Sequence, residues 1–489
     1  MPGRGRAGGA GAGDGYECVV LISLDTLRSD LVNANPYKLW PARYRLARDP
    51  ADSVLDDLAR AGAFFPNCIT AAPYTSAAHG SFLTGRWPLR HKLYGLFNQR
   101  LRGVTVLERA RRLGLRTVMK VDFPLILGDR LGFTRGVDEY YAEDDDAFLR
   151  SLGRGGPLFG FAHFGGLHVP YGFHNLRFGG QAYVDKVAEL EAELGDEPDP
   201  LAGADGPGRE HAEALPPEVA LMVRYRRAVQ RLYAQGRYDR LFELYLEGAE
   251  HFLRTRFAPF LERLLELVGG RRYLLVLFGD HGEEYGEDSY GHQDSLSEGV
   301  IRVPVLLFGP GVRAGLHPGR IRSVDVAPTV LEVIGDRGRG RLRLDGVTLA
   351  GTVWRGEPYD VRTAFSQAYV PATGDYLDQV RLAGGGSGRR GRHLLYKEAV
   401  YEGRHRLTRR HADYRQTAGT WALERRSAPA VALETVDAQL TPHAVDDSPV
   451  AARLGALLDS YNRSGGDGRG ERGAPDDIRR QLQAMGYRI

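Results

Sequence analysis

Short apolar runs alternate along this chain with longer stretches in which apolar residues recur at helical spacing. Cys18 to Leu24 (CVVLISL), Thr117 to Val121, Leu158 to His163 (LFGFAH), Tyr273 to Phe278 (YLLVLF) and Val303 to Phe308 (VPVLLF) lack a clean in-and-out alternation. They therefore predict strands covered on both faces. Helical patterns such as Val104 to Leu113 lie between them. Strands separated by helices predict an α/β fold with a doubly wound, mostly parallel sheet. In such sheets ligands gather at the carboxyl ends of the strands.

A mostly helical insertion is expected over 185–267: an acidic helix near Val187 to Leu194, a Pro/Gly/Asp-rich loop from Gly195 to Pro217, then helices over Val219 to Gln235 and Tyr238 to Val268. The arginine-rich stretch from Arg224 to Arg240 reads as a solvated helix face. After Gly351 the texture changes to a small antiparallel sheet, with strands at Ala364 to Val370, His393 to Val400 and Arg404 to Arg409, the last two joined through Tyr401-Glu402-Gly403. Gly384 to Arg392 and Ser464 to Gly473 read as loops, and Pro475 to Met485 as a closing helix. The expected organisation is a tail over 1–15, an α/β domain over 16–360 carrying the insertion, and a smaller α+β subdomain over 361–489.

Composition narrows the class. The 489 residues are 43% hydrophobic and 26% charged, too apolar for a disordered chain. Sixty-five basic residues, only five of them lysine, face 62 acidic ones for a net +3, so no general attraction to nucleic acid or membrane is expected. Two cysteines, Cys18 and Cys68, suit neither a disulfide framework nor a zinc cage. With no secretory-type apolar core near the start and no run of eighteen apolar residues, the expectation is a cytoplasmic protein without a membrane span.

Four places carry candidate chemistry. Asp25 directly follows the first strand, where a carboxylate either caps a helix or holds a cation. In Ala71 to Arg86, Ser76 to His79 open a helix anchored by Phe82 and Leu83, which puts the Thr75 hydroxyl at its N-terminus, either as an N-cap or where amides and dipole favour a phosphate or sulfate ester. Asp280 and His281 follow another buried strand and together offer an O/N set suited to Zn or Mn, with His292 eleven residues on in a Gly-rich loop that can fold back over them. The nearby Glu283, Glu284, Glu287, Asp288 and Asp294 read as solvated loop residues. Finally, His163 ends a strand and His168 follows five residues later; they either are satisfied structural histidines or bind a substrate oxyanion or a second metal.

These motifs, in order, resemble the sulfatase family of the alkaline phosphatase superfamily: Asp25-Thr26-Leu27-Arg28, the Thr75 to Arg86 segment, His168-Val169-Pro170-Tyr171, and Gly279-Asp280-His281-Gly282-Glu283-Glu284 through His292 to Arg302-Val303-Pro304. Val324 to Thr329, Asp345-Gly346 and Leu482 to Tyr487 extend the likeness. The resemblance implies an alkaline phosphatase-like fold in which Asp25, Thr75, Asp280 and His281 hold a divalent cation (Zn, Mn, Ca or Mg). Thr75 is then the nucleophile, His168 and His292 assist catalysis, and His79, His163, His168 and His292 surround the ester.

The departures from the family pattern bear on the substrate. Where sulfatases carry Cys/Ser-x-Pro-x-Arg, whose first residue is oxidised to formylglycine, this chain reads Thr75-Ser76-Ala77-Ala78-His79, and threonine has no route to that aldehyde. Gly166 and Leu167 stand where the family often has an acid and a proline, which favours one metal over two. The expected activity is hydrolysis of phosphoric mono- or diesters of small-molecule, glycan or lipid type. Sulfuric ester hydrolysis, transfer of the phospho group to an alcohol, and a catalytically silent binding protein are the alternatives.

Overall fold

The computed structural model of the chain describes residues 15–94, 100–195, 216–287, 289–371, 393–417 and 420–464. The start of the tail, nearly all of the Gly195 to Pro217 loop, the Gly384 to Arg392 loop, most of Ser464 to Gly473, the closing helix at Pro475 to Met485 and the Leu482 to Tyr487 motif lie outside these residues.

The central sheet is built from β1 (Cys18–Leu24), β2 (Ala63–Ile69), β3 (Arg116–Val121), β4 (Glu139–Ala142), β5 (Leu158–Phe164) and β6 (Tyr273–Gly279). A small hairpin of β7 (Glu284–Gly286) and β8 (Ser289–Gly291) follows, then the sheet strand β9 (Arg302–Phe308) and the short β10 (Gly315–Leu316) and β11 (Ile321–Arg322). Their order is β10-β2-β9-β6-β1-β5-β3-β4, with β11 also on β2. The strands β6, β1, β5, β3 and β4 are mutually parallel, whereas β9 runs antiparallel to β6 and β2. The sheet is therefore mixed but mostly parallel.

β1 explains the absence of alternation in its sequence. Cys18, Val20, Ile22 and Leu24 enter one apolar core, and Val19 and Leu21 enter the other. Both faces are covered, so both sets are apolar. The first core is roofed by the helical insertion: Leu176–Leu194, broken at Gly180 where φ is +52°, then Pro217–Ala234, and Tyr238–Phe252, which passes through a π-helical turn at Leu253–Phe257 into Ala258–Val268. The arginine-rich face is half exposed, as expected of a solvated face, and is also laced with ion pairs. Arg224 Nε lies 2.8 Å from Glu191, and Arg240 reaches Glu193 at 3.1 Å and Glu247 at 2.8 Å. The acidic helix earlier in the insertion supplies the partners that a one-helix reading leaves out.

The second sheet is antiparallel, ordered β12 (Ala364–Pro371), β13 (His393–Glu402), β14 (His405–Thr417), β15 (Thr420–Val436) and β16 (Pro442–Ala444), with the helix Ser448–Ser464 packed on it. The β13–β14 turn falls at Gly403-Arg404, with Gly403 at φ +53°, two residues later than expected. This unit is tied to the central sheet by Glu298, which meets Arg302 at 2.5 Å, Tyr401 at 2.5 Å and Arg406 at 3.3 Å, all buried. The Gln367 amide also donates to the Ala71 carbonyl, just ahead of the Thr75 helix, at 3.0 Å.

Candidate active site

Register alone brings the first residues together. β1 lies between β5 and β6, with Leu24 opposite both Phe164 and Gly279 and Ser23 opposite His163. Adjacent strands are about 4.8 Å apart. Asp25 and Asp280, each one residue past its strand, thus emerge side by side at the carboxyl edge, with His163 beside them.

The chain then turns sharply. Thr26 has φ +60°, an outlier for a β-branched residue, and the Tyr245 hydroxyl of the insertion holds its carbonyl at 2.6 Å. In that conformation its amide donates to Asp280 Oδ1 at 3.2 Å, as does the His281 amide at 2.9 Å. His281 Nδ1 donates to the Gly282 carbonyl at 3.1 Å, which leaves Nε2 as a lone pair 3.6 Å from Asp25 Oδ1 and 3.6 Å from Asp280 Oδ2.

Thr75 enters from the helix Thr75–Thr84, which is buried along its whole length. Tyr74, at φ −156°, occupies the N-cap position and Thr75 is the first helical residue, so the N-cap alternative for Thr75 falls away. Its Oγ1 donates to Asp25 Oδ2 at 3.1 Å and lies 3.5 Å from His281 Nε2. The first-turn amides have no intrahelical acceptors and favour an anion. One turn on, His79 is fully buried, with Nδ1 2.8 Å from the Thr75 carbonyl, Nε2 2.7 Å from Ser23 Oγ, and Asp280 at 3.4 Å. Both ring nitrogens are engaged beneath Thr75, a supporting position rather than one facing a ligand. His163 is also fully buried, with its Nε2 3.1 Å from Asp25 Oδ2, but its Nδ1 has no hydrogen-bond partner.

A second bank faces this cluster. The rings of His168 and His292 lie 5.1 Å apart, and His292 stacks on His281 at 4.4 Å. These two histidines keep 7% and 8% exposure while Asp25, Asp280, His281 and His79 keep none, so they line the mouth. His168 Nδ1 is held by the Val169 carbonyl at 2.9 Å and His292 Nδ1 by Glu283 at 3.1 Å, leaving both Nε2 atoms free to face a ligand. The second Glu283 oxygen accepts from Tyr171 at 3.1 Å. Glu283 and Glu284 are each 1% exposed, which corrects their reading as solvated residues. Arg28 grips the Glu283 carbonyl at 2.9 Å and pairs with Asp30 at 2.8 Å, and so ties the first motif to the third. Arg28 and Tyr171 stand inside recognisable motifs; the burial of Glu283 has no local signal.

The electrostatics favour a cation. Burial, with Asp25 alongside, raises the pKa of Asp280. Burial opposes charge on His281, but Asp280 and Asp25 outweigh it and raise its pKa. Burial pushes His168 down to about 3 and Glu283 up to about 7, against His281 and Tyr171. Asp25 Oδ1 and Asp280 Oδ2 are buried without a hydrogen-bond partner, and the ligand atoms of Asp25, Asp280 and His281 all lie within 4.8 Å of one another. Two adjacent buried carboxylates with orphaned oxygens fit a divalent ion, and with one imidazole and one hydroxyl the set suits a hard or borderline metal.

The carboxylate–histidine–hydroxyl cluster lies at the carboxyl edge of a mostly parallel sheet, where α/β folds of this kind bind ligands. Residues 258–335, which include Asp280, His281 and His292, match the Sulfatase family model. A choline-sulfatase of Rhizobium meliloti (strain 1021) is 35% identical over 102 residues, 20% of either protein. The chain thus aligns to about a fifth or less of the length of the curated relatives it matches. The fold extends the likeness. A 2-O GAG sulfatase superposes with a TM-score of 0.59 at 15% identity over 93% of both chains, and the phosphonate monoester hydrolase of Silicibacter pomeroyi with 0.52 at 16% over 91% of this chain and 94% of that one. Residues 258–335 thus resemble the sulfatase family, and the chain as a whole has the alkaline phosphatase-like fold of these structures.

Proposed function

We propose that this chain is a metal-dependent hydrolase of phosphoric mono- or diesters with Thr75 as nucleophile. The observation that carries the reading is the position of Thr75 Oγ1: first residue of a buried helix, 3.1 Å from Asp25, beside two carboxylate oxygens that lack partners. Asp25, Asp280, His281 and the Thr75 hydroxyl would hold the ion, which when bound lowers the pKa of a hydroxyl and neutralises ester oxygens. Gly166 supports one ion rather than two. A Cβ there would lie 2.1 Å from the Phe252 ring, so no acidic side chain fits at that position.

The chain's own groups account for the remaining steps. The Thr75 hydroxyl gives its proton to Asp25 as its oxygen attacks phosphorus and the bond to the leaving oxygen breaks, that oxygen taking a proton from His168 or His292; water then attacks the phospho-threonine, releases phosphate (from a diester, a phosphomonoester) and restores the hydroxyl. The amides at the helix start face the developing charge. His168 and His292 flank the leaving oxygen; burial keeps them neutral, and a bound anion between them favours their protonated, proton-donating forms. Glu283 fixes the His292 ring through Nδ1.

The matches to a choline-sulfatase and a GAG sulfatase favour a second reading, sulfuric ester hydrolysis. A screen of aryl phosphate mono- and diesters, phosphonates and sulfates with Zn, Mn, Mg and Ca separates the two. Turnover of phosphorus esters, lost by at least ~10³-fold in Thr75→Ala, is expected. Turnover of sulfates alone, or near-normal turnover in Thr75→Ala, overturns the proposal. Transfer to added alcohols would mark a transferase.

A further inference from the structure

Behind the exit of β5 lies a closed group of four charges that takes no part in the chemistry above. Lys120, fully buried at the end of β3, sits 2.7 Å from Asp122 and 2.8 Å from Asp145. Arg256, from the π-helical turn of the insertion, donates to both oxygens of Asp122 at 2.8 and 2.9 Å and to both of Asp145 at 2.8 and 3.0 Å. The Lys120 ammonium also lies 3.6 Å over the Phe164 ring. Two cations and two carboxylates balance.

The box grips the main chain on either side of Phe164. Lys120 donates to the His163 carbonyl at 3.1 Å, and Asp122 accepts from the Gly165 amide at 2.9 Å. His163 in turn reaches Asp25 Oδ2 at 3.1 Å. Apolar side chains of similar size would fill the same volume about as stably, since burying ions costs about what their pairing returns. What they would not supply is a directional hold on two backbone groups. The insertion contributes to that hold through Arg256.

We propose that this charge box positions His163 and, through it, the Asp25 carboxylate, so that Arg256 of the insertion sets the affinity of the cation site. The proposal rests on the reading of Asp25 as a metal ligand. Residues that orient a metal ligand typically change metal affinity ~10–100-fold when removed.

The test is Mn(II) binding to the full chain, titrated by the loss of the free-ion electron paramagnetic resonance signal, with folding followed by circular dichroism. Arg256→Met should weaken Mn(II) binding at least ~10-fold, and Arg256→Lys should return it to within ~3-fold of the parent. The double variant Arg256→Met/Asp145→Asn removes one cation and one anion together, keeps the box neutral, and carries the test if the single variant fails to fold; the same ~10-fold loss is expected. Folded variants that bind Mn(II) within ~2-fold of the parent overturn the proposal. Asp25→Asn is the control. If it binds like the parent, the ligand assignment fails and the box with it; if it loses binding while Arg256→Met does not, only the box fails.

Discussion

The bank of Asp25, Asp280, His281 and Thr75 and the bank of His168, His292 and Glu283 meet where the His281 and His292 rings stack, yet they are held differently. The first bank is positioned by sheet register and one buried helix; each of its residues lies within two positions of a strand end or starts the helix. The second is positioned by side chains reaching across the chain: Tyr171 to Glu283 over 112 residues and Arg28 to the Glu283 carbonyl over 255. A backbone-built bank suits a fixed ion, and a side-chain-built bank can change with the ester it receives. The specificity of such folds lies in loops and insertions.

The sharpest way to break this contrast is to remove one ligand of the first bank. Asp280→Asn should leave less than ~0.2 equivalents of Mn or Zn on the dialysed protein and lower turnover by at least ~10³-fold. It also deletes a carboxylate whose charge is disfavoured by burial and by Asp25, so the metal-free variant should melt at or above the temperature of the metal-free parent. Metal analysis and paired thermal melts check both. A variant that melts lower yet keeps its metal would dissolve the first bank as described.

The second bank should fail in a graded way. His292→Ala is expected to cost ~10²-fold with an ester of a poorly departing alcohol but under ~5-fold with 4-nitrophenyl phosphate, because a proton donor matters only when the departing oxygen needs one. Glu283→Gln keeps the shape and loses the charge behind His292, and should show the same leaving-group dependence at ~10-fold. Equal losses across leaving groups would make both residues structural.

The same contrast explains what could be read from the chain. Asp25 and Asp280 were legible because an acid that ends an unbroken apolar run has one place to go, the carboxyl edge. His168 and His292 were visible as loop histidines near the carboxyl edge, and the family motifs around them gave them a role. Glu283 and Glu284 were missed because their partners are remote in sequence, and an acid in a glycine-rich loop looks solvated until Tyr171 and Arg28 arrive. β2 escaped notice for another reason: Pro66 and Asn67 interrupt AFFPNCI, and the register against β9 shifts between Phe65 and Cys68, so its pattern resembles no regular strand. The helix Ser448–Ser464 was hidden by low overall hydrophobicity, since it buries only Leu454, Gly455, Leu458 and Tyr461.

The smallest expected effect concerns how the first bank's helix is seated. His91 packs against that helix away from the ion cluster: its ring lies where a Cβ on Gly80 would come within 2.7 Å, its Nε2 meets Ser81 Oγ at 3.0 Å, and its Nδ1 accepts the Leu93 amide at 3.2 Å. Burial lowers its pKa from 6.5 to about 3. The unfolded chain therefore binds a proton near pH 6.5 that the folded chain refuses until pH 3. The stability this group lends is fully present well above pH 6.5 and falls as pH drops, by about 1 kcal/mol at pH 5.5. In urea unfolding at pH 7.5 and 5.5, His91→Gln should lose that much less stability than the parent over the interval, although it starts lower because the imidazole packing is gone. An identical pH dependence in the two proteins would mean that His91 is protonated in the fold and that the helix carrying Thr75 is seated more loosely than its contacts with His91 imply.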